Sequence, residues 1–465
     1  MKKVSYLIIA LIAVVLLAAC GGCKGPTPQD DPEQPEEQQQ PAEQADLSLI
    51  TQSVPVTDNW VWSGKPDITI RIENGNKVAV KVGVKVRFTT DGKDEVEVLT
   101  DSVDVAAKGT VDYKATTYKT LEPGFYRASC TVNGKTAKNF IFGIDPFKIA
   151  TKPDKQPDYE QFWKAAKDQL AAIDMNAKLT EIESNSSATR KVYLVEMQSI
   201  PDGLEGDPVI IRGYYCEPQD GQKHPVIMHF YGYDTQGTKA RCQCPSGGSS
   251  KEAEFYLSHR GQYLNNRPAS TGNPGMTEDA VNIYGDWFGY HFGDKNSYYY
   301  RGAFMDVVQA VRFMATRETS DMTKLFAEGS SQGGALTYAC AALSDYPCSA
   351  IAANVAFLGD FPSFAKVGGL ASEEAKKYKG SMTDEEMFTF LSYFDTKNLT
   401  PSISCAVLAS SGLQDNVCPP RTNVVPYNNL ATPESEKEYV FGPEMGHDYP
   451  AGWSSKLNKL FKSKM

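Results

Sequence analysis

The chain has 465 residues, 41% of them hydrophobic and 22% charged, a globular composition too long for one ordinary domain. Its formal charge of -10 and the lack of any Lys/Arg stripe exclude nucleic acid as a partner, because phosphates demand clustered cations. Its ten cysteines show no metal-ligand spacing.

The N-terminus opens with "MKK", then the apolar run "LIIALIAVVLLAA", then Leu17-Ala18-Ala19-Cys20. The run is too short to span a bilayer, which takes about 20 helical residues. Small residues directly before a cysteine resemble the bacterial lipoprotein signal. That resemblance implies that residues 1–19 are removed and that the Cys20 thiol is lipidated, anchoring the protein to the cell envelope by lipid alone. Residues 20–46 are rich in Pro, Gln and acids, and almost devoid of large apolar side chains. Such a segment cannot bury enough surface to offset its ordering entropy and is expected to be a disordered tether.

Residues 47–146 alternate apolar and polar side chains, with Asn74-Gly75 and Asp91-Gly92 as turn signals and a hairpin expected around Asn133-Gly134. This pattern predicts a small all-β sandwich. The end of the segment, "LEPGFYRASC…FIFGI", resembles the immunoglobulin-like modules that precede catalytic domains in glycan-degrading lipoproteins. No aromatic platform stands out, so a spacer docked on the next domain is favoured over a carbohydrate binder.

From residue 147 to 465 helices and strands alternate. "YEQFWKAAKDQLAAI" has helical spacing; "VYLVEMQSI", "PVIIRGYYCEP" and "PVIMHFYGY" read as strands. "RGAFMDVVQAVRFMATRE" is an amphipathic helix. "KLFAEGSS" is a short apolar strand, and "GGALTYACAALSD" the helix after it. "SAIAANVAF" and "SCAVLASSG" are uninterrupted apolar runs of the kind found in central parallel strands. "EKEYVFGP" is a last strand before a terminal helix. The expectation is an α/β fold with a mostly parallel sheet covered on both faces. Cys340 and Cys405 fall within apolar runs, as small buried hydrophobes do. Cys242 and Cys244 are too close for an easy mutual bond, and the disulfide status is open.

Within the strand–turn–helix at "FAEGSSQGGAL", Gly329-Ser330-Ser331-Gln332-Gly333 has the spacing of a nucleophile elbow. Only Ser331 has glycine two residues before and two after; Ser330 is flanked by Glu328 and Gln332. A nucleophilic serine needs a base and a group that orients it, in the chain order Ser, acid, His for this layout. Of five histidines only His447 follows, in a loop just past a strand. Asp415 follows the strand "CAVLASSG". Asp360 comes too soon after the strand beside the nucleophile, and Asp395 lies in the helix-like "MFTFLSYFD". The oxyanion donors are then the N–H of Gln332 and, from the turn Tyr231-Gly232-Tyr233 after the third main strand, the N–H of Tyr233.

At these residues the second domain resembles the acetyl xylan esterase and cephalosporin C deacetylase family, carbohydrate esterase family seven. The matching pieces are Phe162-Trp163, Gly232-Tyr233, Arg260-Gly261-Gln262, "YYYRGAFMD", "GSSQGGAL", "FLSYFD", "GLQDNVCPP" and "EMGH". The resemblance implies an α/β-hydrolase fold and Ser331, Asp415 and His447 as the triad. It also implies Gln332 and Tyr233 as oxyanion donors, no metal or cofactor, acetylated carbohydrate as substrate, and a homo-oligomer. The chain departs from the family at Tyr231, where a histidine is usual, at Ser258, where an acid is usual, and through "ASTGNPGMTEDAVNIYGDWFGYHFGD". These departures bear on pocket shape and substrate. Two other functions fit the same residues: a serine peptidase or other acyl hydrolase of this fold, and an inert surface glycan-binding lipoprotein.

Overall fold

The computed structural model describes residues 44–233, 251–266, 275–276 and 283–465. Cys20, the leader and most of the tether lie outside the described residues, as do Cys242 and Cys244.

Eight strands form the front region: β1 (Ile50–Ser53), β2 (Val61–Trp62), β3 (Ile68–Asn74), β4 (Val80–Thr90), β5 (Glu95–Val105), β6 (Thr110–Ala115), β7 (Gly124–Val132) and β8 (Lys135–Ile144). They make two sheets, ordered β1-β3-β6 and β2-β8-β7-β4-β5. Period-two patterning dictates which face is buried. On β4, Val82, Val84, Val86 and Phe88 enter a core shared with Ile68, Ile70 and Ile72 of β3, while Lys81, Lys85 and Arg87 face out. The β7–β8 hairpin turns at Asn133 and Gly134, both with positive φ (48° and 73°). That conformation is why this dipeptide joins right-twisted strands.

The second region begins with α1 (Tyr159–Ala171), β9 (Lys178–Glu181), β10 (Arg190–Ser199), β11 (Val209–Pro218), β12 (His224–Phe230) and β13 (Ala253–Ser258). It continues through α2 (Tyr299–Ala315), β14 (Ser320–Ser330), α3 (Gln332–Leu343) and β15 (Cys348–Asn354). Four short helices follow: α4 (Phe361–Val367), α5 (Leu370–Tyr378), α6 (Asp384–Leu391) and α7 (Thr396–Leu399). The chain ends with β16 (Ala406–Gly412), α8 (Pro420–Asn428), β17 (Lys437–Gly442) and α9 (Trp453–Lys464). Among the described residues the sheet runs β17-β16-β15-β14-β12-β13-β11-β10-β9. Strands β12 to β17 are mutually parallel, and β11, β10 and β9 are antiparallel.

Alternation again sorts the faces. Val226, Met228, Leu325 and Ala327 point toward α1, α2 and α3. Ile227, Phe326, Ala352 and Leu408 point toward Trp453 and Phe461 of α9. Two strand expectations need correction. The strand leading to the Tyr231-Gly232-Tyr233 turn is the fourth of its sheet, because the short β9 comes first. Strand β13 was not anticipated; its polar flanks hide a six-residue segment that is buried throughout.

Residues 45–465 form one compact unit. Leu413, Val424 and Val425 of the second region belong to the core of the front sandwich. Cys216 is disulfide-bonded, whereas Cys130, Cys340, Cys348, Cys405 and Cys418 are free. Among the described residues no helix is long and apolar enough to cross a membrane.

Candidate active site

Strand β14 ends at Ser330 and α3 begins at Gln332, so Ser331 alone makes the turn, with φ 59° and ψ -120°. Positive φ strains a side-chain-bearing residue, and close packing around the turn holds it there. A Cβ on Gly329 would lie 2.4 Å from the Gly333 carbonyl, and one on Gly333 would lie 2.1 Å from Phe230 O. Glycine is therefore a steric requirement at both flanking positions.

The turn separates the two serines. Ser330 Oγ accepts a hydrogen bond from Asn354 Nδ2 at 2.8 Å, on the neighbouring strand. Ser331 Oγ lies 2.9 Å from His447 Nε2. His447 Nδ1 lies 2.8 Å from Asp415 Oδ2. Asp415 is fully buried, and its Oδ1 accepts from the N–H groups of Val417 (2.8 Å) and Cys418 (2.9 Å). Those two donors leave Oδ2 aimed at the imidazole. Burial pushes the neighbouring Cys418 thiol up, so it stays protonated.

The competing acids are engaged elsewhere. Asp360 and Asp395 are buried around Lys397, whose Nζ lies 3.1 Å from Asp360 Oδ1 and 3.7 Å from Asp395 Oδ2. Asp395 also accepts from the N–H groups of Asp360 and Phe361. Burial pushes its carboxyl up to about 7, against the pull of Lys397.

Gln332 is the first residue of α3, where helix geometry leaves the N–H without an intrahelical acceptor and the helix dipole favours negative charge. Gly232 packs on the elbow: a Cβ there would sit 3.3 Å from Ser330 O and 3.7 Å from Ser331 Cβ. The Tyr231-Gly232-Tyr233 turn thus reaches the nucleophile, and Tyr263 Oη donates to Gly232 O. Tyr231, in place of the family's usual histidine, packs on Tyr263 with ring centroids 4.5 Å apart. Tyr233 packs on Trp287 at 4.6 Å. Of the divergent stretch 269–294, residues 275–276 and 283–294 are described.

Sequence reasoning missed the support beneath Gln332. Its side-chain Nε2 donates to Tyr300 Oη (3.0 Å), and its Oε1 meets His259 Nε2 at 2.9 Å. Burial pushes His259 down to about 4, against that hydrogen bond, so the ring is neutral at pH 7. With Gln332 Nε2 already donating, the imidazole Nε2–H donates to Gln332 Oε1. The Arg-Gly-Gln motif is a second support. Arg260 is fully buried and fork-paired to Asp306 of α2, with Nε–Oδ2 3.0 Å and Nη2–Oδ1 2.6 Å. Gly302 leaves room for it, since a Cβ there would lie 2.2 Å from Arg260 Nη1. Gln262 bonds Tyr299 Oη, which donates to Arg260 O.

Comparison with known proteins identifies the family and the fold. The acetyl xylan esterase (AXE1) family model matches residues 147–465. The acetyl esterase Axe7A of Xylanibacter ruminicola is 25% identical over 340 residues, covering 70% of this chain and 71% of its own. Acetyl xylan esterase 1 from Thermoanaerobacterium sp. JW/SL YS485 superposes with a TM-score of 0.57 at 24% identity, over 67% of this chain and 95% of that one. The acetyl xylan esterase from Paenibacillus sp. R4 gives 0.56 at 24%, over 69% and 98%. At such identity the two solved structures establish the fold, an α/β-hydrolase. The match to the family model covers the whole second region, and the chain belongs to the acetyl xylan esterase family of carboxylic ester hydrolases.

Proposed function

We propose that this protein removes acetyl groups from acetylated, xylan-type polysaccharides or oligosaccharides through an acyl-enzyme on Ser331. The observation that carries the reading is the unbroken relay from Ser331 Oγ through His447 to the buried Asp415. His447 takes the Ser331 proton as Oγ attacks the acetyl carbonyl. The N–H groups of Gln332 and Tyr233 receive the oxyanion, and Asp415 stabilises the imidazolium. The sugar hydroxyl leaves with the proton from His447. Water, deprotonated by His447, then attacks the acetyl-serine and releases acetate.

Acetate release from a panel of acetylated xylan, acetylated xylo-oligosaccharides and acetylated pectin, run beside aryl acetates and dipeptide amides, tests this. Acetate from the xylan substrates is the expected result. Amide cleavage without acetate release would assign a peptidase instead. No turnover of any kind would favour a glycan-binding protein.

The sheet orders of the front region support reading residues 47–146 as an immunoglobulin-like module. The "LAAC" motif supports attachment of the mature protein to the bacterial envelope through lipid on Cys20. Loss of membrane association in Cys20→Ala, measured by fractionation, is the outcome that attachment requires.

A further inference from the structure

The acid loop touches both the histidine loop and the front sandwich through a single residue of its own. Gln414 immediately precedes Asp415. Its backbone N–H donates to Met445 O (2.9 Å), two residues before His447. Its side-chain Nε2 donates to Pro443 O (2.8 Å), on the same histidine loop, and to Ile141 O (3.0 Å), on the sandwich. Its Oε1 accepts from Ile141 N (2.9 Å). Strand β8 has β2 as its outer neighbour only at Gly143 and Ile144. Among the described residues no strand flanks that side of the edge at Ile141, and the Gln414 amide takes the place of one, donating and accepting as a backbone unit would.

Other contacts hold the same seam. Arg421, at the start of α8, is fork-paired to Asp91 of the sandwich, with Nε–Oδ2 2.6 Å and Nη2–Oδ1 3.2 Å. Lys138 of β8 pairs with Glu444 of the histidine loop. A Cβ on Gly412 would lie 2.3 Å from Met445 O, so the two loops already touch at the end of β16. The segment bearing Asp415 is thus pinned from three sides: by β16, by the histidine loop and by the edge of β8.

We propose that Gln414 is a positioning residue for the triad, and that the front sandwich works through it as a brace for Asp415 and His447. The proposal rests on the Ser331–His447–Asp415 reading. Truncating Gln414 leaves Ile141 N–H and C=O without their partners and frees the acid loop to drift relative to the histidine loop. A displacement of about 1 Å at such a point costs up to about a hundredfold in rate.

The test is hydrolysis of an aryl acetate by full-length Gln414→Ala, with active sites titrated by a fluorophosphonate. A purely structural residue would lower the number of titratable sites and leave kcat per site unchanged. The expected result is a drop of about tenfold or more in kcat per titrated site, with KM within about twofold of wild type. Wild-type kcat per site in Gln414→Ala would overturn the proposal. If that variant yields no titratable sites, Asp91→Asn decides from the sandwich side. There a fall of about threefold in kcat per site is expected, and an unchanged value would overturn the proposal. A wild-type enzyme that took no label at Ser331 would be a different failure, sinking the triad reading and this proposal with it.

Discussion

At the scale of single residues, the elbow is decided by what two glycines permit. A methyl group on Gly333 would meet Phe230 O at 2.1 Å, a backbone atom with nowhere to go. Gly333→Ala should therefore lose about 2–4 kcal/mol of stability, read by urea unfolding, along with most esterase activity. An unchanged midpoint would show that the turn relaxes in a way this packing does not allow. Asp415→Asn keeps the shape of the acid but offers His447 the wrong partner. It should lower kcat by about ten-thousandfold with little change in KM, measured on an aryl acetate. The glycine spacing, the order of Asp415 and His447, and the exclusion of Ser330 were all legible, because each is local or a matter of chain order. The bond between His259 and Gln332 was not. It joins residues 73 positions apart, and nothing in a buried neutral histidine's local sequence announces its partner.

At the scale of elements, the central strands were legible from their apolar runs, and β13 was not, because it carries Glu254 inside a buried segment. That residue belongs to a charged cluster on the α9 side of the sheet. His229 of β12 lies 2.7 Å from Glu328 of β14 and 3.4 Å from Glu254, and its ring stacks on Tyr256 at 4.1 Å. Arg190 of β10 pairs with Glu254 from the other side. Burial pushes His229 down, but the carboxylates of Glu254 and Glu328 outweigh it and hold the imidazolium up to about 9, against an ordinary 6.5. A raised histidine stabilises the fold fully below its unfolded value, near 6.5, and loses that contribution as pH rises through about 9. The amount is on the order of 3 kcal/mol. Urea unfolding of the wild type should thus weaken between pH 7 and about 10, and His229→Gln should flatten that slope. Parallel slopes for the two proteins would remove His229 from the account.

At the scale of the whole molecule, composition separated the tether, the β region and the α/β region. It did not show how closely the last two are joined. The seam is built from residues that read as ordinary in their own segments: Asp91 in a hairpin turn, Ile141 in a strand, Gln414 in a loop and Arg421 in the first turn of a helix. Because Leu413, Val424 and Val425 lie in the sandwich core, the sandwich does not complete its core alone. Calorimetry of the full chain should show one cooperative transition for residues 45–465. Two well-separated transitions would mean that the sandwich is an independent module and its contacts with the acid loop are incidental.

The claim on which all of this turns is that Ser331 carries the acetyl group. Rapid quenching during turnover of an aryl acetate, followed by peptide mass spectrometry, tests it most directly. Acetylation should be found on the peptide holding the elbow, at Ser331 and not Ser330, and be absent from Ser331→Ala, which should also release no acetate above the residual rate of binding and oxyanion stabilisation alone. Acetylation at Ser330, or wild-type acetate release by Ser331→Ala, would contradict the account.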